Sequence, residues 1–244
     1  MAMRWPVVLI HGVGLDHTVW TPVISELCPG VAVRAPDLLG HGRNRPAPAG
    51  VTLADLADEV VAGLPARAHL VGFSLGALVA QHIARHHPDR VASLTSVSSV
   101  CRRTPAERAA VLARLAAAEQ DYPASIAASL HRWYDGTTVP ADHVENTRKV
   151  LASNDPSSFL ACYRVFATGD AELADELGAV TAPALAITGS DDPGSTPEMT
   201  HRLARALPNC AAVIVPNVRH MLPVQCPELL ARHLLTLLEG HACA

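Results

Sequence analysis

Short apolar runs alternate with helical patterns along most of this chain, and this alternation limits the possible folds more than any other feature of the sequence. The first run, Val7–Ile10, is followed at once by His11 and Gly12. A continuous apolar run of this length is typical of a strand that is buried on both faces of a parallel sheet. Five further runs have the same character, at residues 31–35, 69–73, 91–97, 184–188 and 211–215.

Between these runs, apolar residues recur at helical spacing. One such pattern comprises Leu53, Leu56, Ala57, Val60, Val61 and Leu64, and a second covers residues 75–86 and is closed by Pro88. Parallel strands need crossover connections, which are usually helices. The alternation therefore predicts an α/β fold with a mostly parallel central sheet and helices on both of its faces.

The alternation stops after Val97 and resumes near Pro183. Between residues 104 and 168 we find no strand pattern, only helical segments with prolines near their starts: Pro105, Pro123, Pro140 and Pro156. We predict one α/β core formed by residues 1–100 and 168–244, with a helical lid, residues 101–167, inserted into it. The lid carries most of the aromatic side chains, which either line an apolar pocket or hold the lid together.

Composition excludes several classes of protein. A chain of 244 residues with 49% hydrophobic content suits one large domain. The net charge of −4, without a cluster of Lys and Arg, argues against a nucleic-acid partner. The longest apolar run near the start is far shorter than the roughly 20 residues that span a bilayer, and no signal-peptide pattern precedes it. We expect a cytoplasmic protein with a small-molecule substrate and no membrane partner. The sequence leaves open whether the protein forms a homo-oligomer.

The cysteines and histidines do not predict a metal site. The six cysteines are scattered and include no CxxC pair: Cys28, Cys101, Cys162, Cys210, Cys226 and Cys243. The thirteen histidines include no HExxH motif. We therefore expect reduced thiols and no bound metal.

A Gly-x-Ser-x-Gly motif lies between an apolar run and a helical pattern, at Gly72, Ser74 and Gly76. A strand that turns directly into a helix brings both glycines against neighbouring backbone, where a β-carbon would clash. The turn would hold the Ser74 hydroxyl at the carboxyl edge of the sheet, where ligands bind in open α/β sheets. We predict that Ser74 is a nucleophile; the alternative is a plain strand-to-helix turn.

A serine nucleophile needs a base and a carboxylate that orients the base. His220 lies in the loop that follows the run 211–215, at the same edge of the predicted sheet. Two adjacent carboxylates, Asp191 and Asp192, follow the run 184–188. The alternative for His220 is a core histidine bonded to backbone, which would leave Ser74 without a base.

Backbone amides near the predicted nucleophile could bind a developing oxyanion. The loop His11 to Gly14 follows the first strand, so the N–H of Val13 can act together with the N–H of Leu75. We interpret His11, and the Gly-His-Gly segment at 40–42, as structural.

These blocks resemble the α/β-hydrolase superfamily across nearly the whole chain. Four stretches further resemble the 3-oxoadipate enol-lactonase branch: Leu-Asp-His-Thr-Val-Trp at 15–20, His-Arg-Trp-Tyr at 131–134, Phe-Leu-Ala-Cys-Tyr at 159–163 and Gly-Asp at 169–170. The resemblance implies hydrolysis of a small lactone without a cofactor. It implies the catalytic triad Ser74, Asp192 and His220, because the family places the acid three residues after the glycine that ends its strand. Asp191 would then cap a turn or the following helix.

The resemblance also implies that Arg132, Trp133 and Tyr163 face the substrate from a lid inserted after the family's sixth strand. Two departures accompany it. The chain begins almost at the strand before His11, so we expect the family's N-terminal hairpin to be missing, and the elbow ends in Gly76-Ala77 instead of a glycine pair.

The sequence thus predicts a serine hydrolase that cleaves a small carboxylic ester or lactone through an acyl-enzyme. Alternatives that share the triad are a carbon-carbon hydrolase of meta-ring-cleavage products and a short-chain esterase or perhydrolase. A ligand receptor on the same fold is the non-enzyme alternative. Haloalkane dehalogenation is excluded, because that chemistry needs a carboxylate where this chain has Ser74.

Overall fold

A computed structural model describes residues 5–239 of the chain, without the side chain of Glu239. Cys243, one of the cysteines expected to be a reduced thiol, lies outside the described residues. The five cysteines inside this range are free. Among the described residues, no helix is long and apolar enough to cross a bilayer, and no group of three His, Cys, Asp or Glu side chains could hold a metal ion.

In the part of the chain that the structure describes, six strands form one sheet in which every neighbouring pair is parallel. In chain order they are β1 (Val7–Ile10), β2 (Val33–Arg34), β3 (Ala68–Phe73), β4 (Val91–Val97), β5 (Ala184–Gly189) and β6 (Cys210–Val215), and their spatial order is β2-β1-β3-β4-β5-β6. The predicted parallel sheet is confirmed, and each predicted run contains a strand. Residues 1–4 lie outside the described part, so the absence of an N-terminal hairpin stays a prediction.

Strand β2 is shorter than its apolar run. Only two residue pairs join it to β1, Val7 with Val33 and Val8 with Arg34. It lies at the edge of the sheet and pairs on one side only.

Among the described residues, ten α-helices surround the sheet. They are α1 (Thr21–Glu26), α2 (Leu53–Ala62), α3 (Leu75–His86), α4 (Pro105–Gln120), α5 (Tyr122–Tyr134), α6 (Ala141–Ser153), α7 (Pro156–Leu173), α8 (Pro197–Ala206), α9 (Leu222–Gln225) and α10 (Pro227–Glu239). Alternate residues of β1 face opposite sides, as the pleat of a strand requires. Val8 and Ile10 pack in one core with α2, α3 and α8, while Val7 and Leu9 pack in the other with α1 and α10.

Helices α4 to α7 lie between β4 and β5, and we call them the lid helices. The described structure contains no strand in this stretch. Asp170, near the end of α7, is buried and accepts hydrogen bonds from the backbone N–H and the guanidinium of Arg103. This ion pair anchors α7 to the segment that follows β4. The division into a core and a lid at residues 101 and 167 stays a prediction.

Candidate active site

Ser74 lies between β3 and α3 with backbone angles of φ 54° and ψ −113°. A non-glycine residue with positive φ is strained, and such strain is concentrated at functional turns. The Ser74 N–H donates to the carbonyl of Val97 at 2.9 Å, which ties the turn to the end of β4. The side chain is buried in the lining of a cavity between the sheet edge and the lid helices.

The two glycines of the motif have the steric role that the sequence predicted. A β-carbon at Gly72 would overlap the carbonyl group of Gly76, and a β-carbon at Gly76 would overlap the carbonyl of Ile10. Both obstacles are backbone atoms, which cannot rotate away. The close packing of β3, α3 and β1 therefore requires glycine at both positions.

Asp192 and His220 form a buried pair at the carboxyl edge of the sheet. The Nδ1 atom of His220 lies 2.7 Å from Asp192 Oδ2. The other carboxylate oxygen accepts hydrogen bonds from the N–H groups of Gly194 and Ser195, each at 2.9 Å. This arrangement orients the carboxylate toward the imidazole and leaves Nε2 of the ring as the atom available for proton transfer.

Asp191 does not share this environment. Its side chain is exposed and accepts a hydrogen bond from the Ser190 hydroxyl at 2.8 Å. Its backbone N–H donates to Val218 at 2.9 Å, so the residue belongs to the turn between β5 and the His220 loop. Of the two adjacent carboxylates, only Asp192 contacts the imidazole in the described structure.

The His220 imidazole lies between two aromatic rings. The ring centroids are 5.1 Å from Phe73 and 5.6 Å from Trp133, which comes from the end of α5. The carbonyl of His220 accepts from the hydroxyl of Ser98 at 3.1 Å. Both the ring and the backbone of this histidine are thus held in place.

Ser74, Asp192 and His220 line the same cavity. Within residues 5–239, however, the hydroxyl of Ser74 makes no hydrogen bond to His220. Catalytic hydrogen bonds are often long without substrate and shorten when the complex forms. The structure therefore places the three side chains in one cavity without the serine-to-histidine hydrogen bond.

The loop that contains Val13 packs against the elbow. A β-carbon on Gly12 would lie 3.2 Å from the β-carbon of Ser74. Leu75 is the first residue of α3, so its N–H has no acceptor within the helix. No acceptor for the Val13 N–H is found in the described part of the chain either. Both amides are available for the predicted oxyanion role.

Two buried histidines hold this loop. His41 Nε2 accepts the N–H of Gly14 at 2.8 Å, and His11 Nε2 accepts the N–H of Leu38 at 2.9 Å. Burial lowers the pKa of both rings, that of His41 to about 3, so both are neutral near pH 7. A neutral imidazole can accept a hydrogen bond, whereas an imidazolium cannot. These contacts agree with the structural interpretation of His11 and of the 40–42 segment.

The lid contributes most of the cavity wall. Arg132, Trp133 and Tyr163 line it, as the resemblance implied, and so does Arg114, which the sequence analysis missed. The apolar lining comprises Val13, Ile126, Leu151, Phe159 and Phe166. Arg114 could have been found from the helical spacing of α4, because this residue lies beside the buried positions Val111 and Leu115.

Comparison with known proteins identifies the family. The Alpha/beta hydrolase family matches residues 7–233 of the chain. The chain belongs to the alpha/beta hydrolase family. It is 33% identical over 227 residues to an (E)-2-((N-methylformamido)methylene)succinate hydrolase of Acinetobacter baylyi, which covers 91% of this chain and 86% of that protein. It is also 30% identical to a pimeloyl-[acyl-carrier protein] methyl ester esterase of Edwardsiella ictaluri, over 96% of this chain and 93% of the relative.

Solved structures share the alpha/beta-hydrolase fold. A thermophilic esterase from Thermogutta terrifontis, solved with malate bound, is 27% identical, with a TM-score of 0.84 over 99% of this chain and 92% of that chain. An enol-lactonase from Burkholderia xenovorans has a TM-score of 0.83 over 97% of this chain and 92% of that chain, and at 23% identity it shows the fold alone. The predicted superfamily and fold are confirmed, and the chain is a hydrolase.

Proposed function

We propose that this alpha/beta hydrolase is a serine hydrolase that cleaves a small carboxylic ester or lactone through an acyl-enzyme. One observation carries the proposal: a buried His220–Asp192 pair lines the same cavity as a serine held at a strained strand-to-helix turn. A serine hydroxyl needs such a base, and the base needs such a carboxylate, before it can attack a carbonyl.

In the proposed reaction, His220 Nε2 removes the proton of Ser74 while Oγ attacks the carbonyl carbon. The N–H groups of Val13 and Leu75 bind the resulting oxyanion, a contribution of typically about 3–4 kcal/mol per donor. When the tetrahedral intermediate collapses, the imidazolium gives its proton to the leaving alcohol oxygen. A water molecule, deprotonated by the same imidazole, then hydrolyses the acyl-enzyme and returns Ser74 to its starting state.

Two of the similar proteins support ester chemistry. One is named as a methyl ester esterase, and the thermophilic structure is named as an esterase. Hydrolysis of a lactone follows the same steps, with the leaving alcohol retained in the product. The enol-lactonase branch, which four stretches of the sequence resemble, is supported only at the level of fold.

The size of the cavity supports a small substrate. The cavity has a volume of about 600 Å³, which includes space open to solvent and lies in the range of small-molecule sites. The cytoplasmic location and a homo-oligomeric state stay predictions.

The test is replacement of the nucleophile. Ser74→Ala should remove nearly all turnover of a short ester such as 4-nitrophenyl acetate, and a fluorophosphonate should label the wild type at Ser74, identified by peptide mass spectrometry. Ser157→Ala, which removes an exposed hydroxyl on α7, is the matched control and should keep wild-type activity.

The same experiment separates the alternatives. Folded wild-type protein that neither hydrolyses esters nor takes up the fluorophosphonate would favour a ligand receptor on this fold. Labelling of Ser74 together with turnover of a dienoic ring-cleavage product, but of no ester or lactone, would favour a carbon-carbon hydrolase. Either result would contradict the proposed function.

A further inference from the structure

The end of β4 contacts the segments that carry all three residues of the predicted triad. The carbonyl of Val97, the last residue of β4, accepts the N–H of Ser74 at 2.9 Å. The next residue, Ser98, donates its backbone N–H to the carbonyl of Ile187 at 2.8 Å, on the strand that precedes the predicted acid. The hydroxyl of Ser98 donates to the carbonyl of His220 at 3.1 Å. Two adjacent residues thus join three segments that are far apart in the chain.

The backbone of Ser98 is strained. Its φ of 46° lies in the left-handed region, where residues other than glycine are uncommon. Such strain persists only where the surrounding structure holds it, and it is concentrated at functional sites. A glycine would adopt this φ without strain, whereas the chain has a fully buried serine here, and its hydroxyl is bonded to the loop of the predicted base.

The backbone of His220 has one hydrogen bond to the end of β4 in the described structure. Its carbonyl accepts the Ser98 hydroxyl and also, at 2.9 Å, the N–H of Leu222, which starts α9. Leu222 follows in the same segment and would move together with the histidine. Two residues before the histidine, the carbonyl of Val218 accepts the N–H of Asp191, which is a contact to the turn after β5. Ser98 is therefore the group that ties the histidine itself to β4.

Proton transfer from Ser74 to His220 depends on small distances. Within residues 5–239 the two side chains share one cavity but make no hydrogen bond to each other. A misplacement of about 1 Å in a catalytic site can cost about 100-fold in rate. Because the Ser74 N–H and the His220 carbonyl bond to the adjacent residues Val97 and Ser98, the end of β4 sets the separation of the two backbones.

We infer that Ser98 is a positioning residue of the triad, whose hydroxyl holds the His220 backbone at the distance from β4 at which Nε2 can reach the Ser74 hydroxyl. Ser98 is fully buried and is not among the residues that line the cavity, so it acts through the histidine and does not touch the substrate. The inference rests on the proposed function, and its test separates the two.

Ser98→Ala removes the hydroxyl and keeps the positive φ. On a neutral ester such as ethyl pentanoate, kcat should fall by about threefold to tenfold, the loss that one net hydrogen bond provides, while KM changes by less than about twofold. The rate at which a fluorophosphonate labels Ser74 should fall by the same factor, because labelling needs the same base. Wild-type kcat in Ser98→Ala would overturn the inference.

Ser98→Gly separates positioning from fold stability. This variant also lacks the hydroxyl, but glycine adopts the observed φ without strain, so its free energy of unfolding should be at least that of Ser98→Ala. Its kcat should nevertheless be as low as that of Ser98→Ala. A glycine variant with wild-type kcat would show that the side chain has only a structural role, and the inference would be wrong.

Ser93→Ala is the matched control. Ser93 lies on the same strand, is buried, and its hydroxyl is 2.8 Å from the Nδ1 atom of His69, so the variant also loses a buried hydroxyl bonded to a histidine. It should lower the urea midpoint to a similar extent and keep the wild-type kcat and labelling rate. Equal losses of kcat in Ser93→Ala and Ser98→Ala would contradict a specific role of Ser98.

A spectroscopic readout does not depend on turnover. The proton on Nδ1 of His220 is bonded to Asp192, and its proton NMR resonance can be assigned by its loss in His220→Gln. This resonance should shift in Ser98→Ala and stay in place in Ser93→Ala. An unshifted resonance in Ser98→Ala would count against the inference, whereas folded wild-type protein with neither turnover nor labelling would contradict the proposed function itself.

Discussion

The indole of Trp133 stacks on the imidazole of His220, with ring centroids 5.6 Å apart and planes inclined by 26°. The same end of α5 has a second contact with the histidine loop, where Arg219 donates to the carbonyl of Arg132 at 3.0 Å. One lid helix therefore packs directly on the predicted general base. If the lid helices moved away, one face of the His220 imidazole would be exposed.

Trp133→Leu should lower kcat on a neutral ester by about threefold to thirtyfold. An imidazolium forms on His220 during proton transfer, and a cation beside an aromatic face gains about 0.5–2 kcal/mol. Trp133→Phe keeps an aromatic face and should retain most of kcat. Steady-state kinetics on ethyl pentanoate separates kcat from KM; an equal loss in both variants, or a change confined to KM, would contradict a role in holding the imidazolium.

Asp192→Asn should reduce kcat by about 10⁴-fold, because an amide can hold the imidazole in the wrong tautomer and cannot stabilise the imidazolium. Asp191→Asn is the neighbouring control and should stay close to wild type, since that exposed carboxylate contacts only a turn hydroxyl. Ester hydrolysis is the assay, with fluorophosphonate labelling as a second readout. Comparable losses in both variants would mean that the assignment of the acid is wrong.

The free energy of unfolding should fall as the pH drops below about 6.5. The pKa of His41 is lowered to about 3 by burial, whereas an unfolded histidine titrates near 6.5. Between these values the unfolded chain binds a proton at this residue that the folded chain does not, so the His41 contribution to stability is complete above pH 6.5 and decreases by up to about 1.4 kcal/mol per pH unit as the pH falls. Urea unfolding at pH 7, 6 and 5 measures the slope.

His41→Gln should make that slope shallower, because glutamine does not titrate while its amide oxygen can still accept the Gly14 N–H. His201→Gln, at an exposed position on α8, should keep the wild-type slope. If the slope is the same in all three proteins, the pH dependence has a source other than His41.

Asp170→Ala should destabilise the protein by about 3–5 kcal/mol, because it leaves the guanidinium of Arg103 buried without its counter-ion. The Arg103 Nη1 to Asp170 Oδ1 distance is 2.7 Å, and both side chains are almost fully buried. Asp175→Ala removes a fully exposed carboxylate nearby and should leave the urea midpoint nearly unchanged. A small effect of Asp170→Ala would show that Arg103 finds another partner or reaches solvent.

Sequence patterns predicted the parts of this molecule that depend on local chemistry. The apolar runs located all six strands, and the Gly-x-Ser-x-Gly motif located the turn at Ser74, because both follow from short-range sterics and from burial on two faces. The length of β2 could not be predicted, since it depends on how many of its residues pair with β1 in the folded sheet.

Asp191 and Asp192 show what a local sequence pattern cannot predict, which is the direction of a side chain in a turn. Asp191 and Asp192 are chemically identical, and only the turn after β5 directs one toward His220 and the other toward solvent. The hydrogen bond that His41 accepts from the Gly14 N–H could not be predicted for the same reason. The two residues lie far apart in the chain, and whether a polar group is paired depends on what the fold places beside it.

By itself, the sequence determined the sheet, the elbow and the residue types of the proposed serine hydrolase, because strand burial and tight turns restrict which residues can occupy adjacent positions. Only the tertiary structure showed how Asp192 meets the imidazole and which aromatic rings cover it. Those relationships are distances between atoms from separate segments, and packing sets them only after the chain has folded.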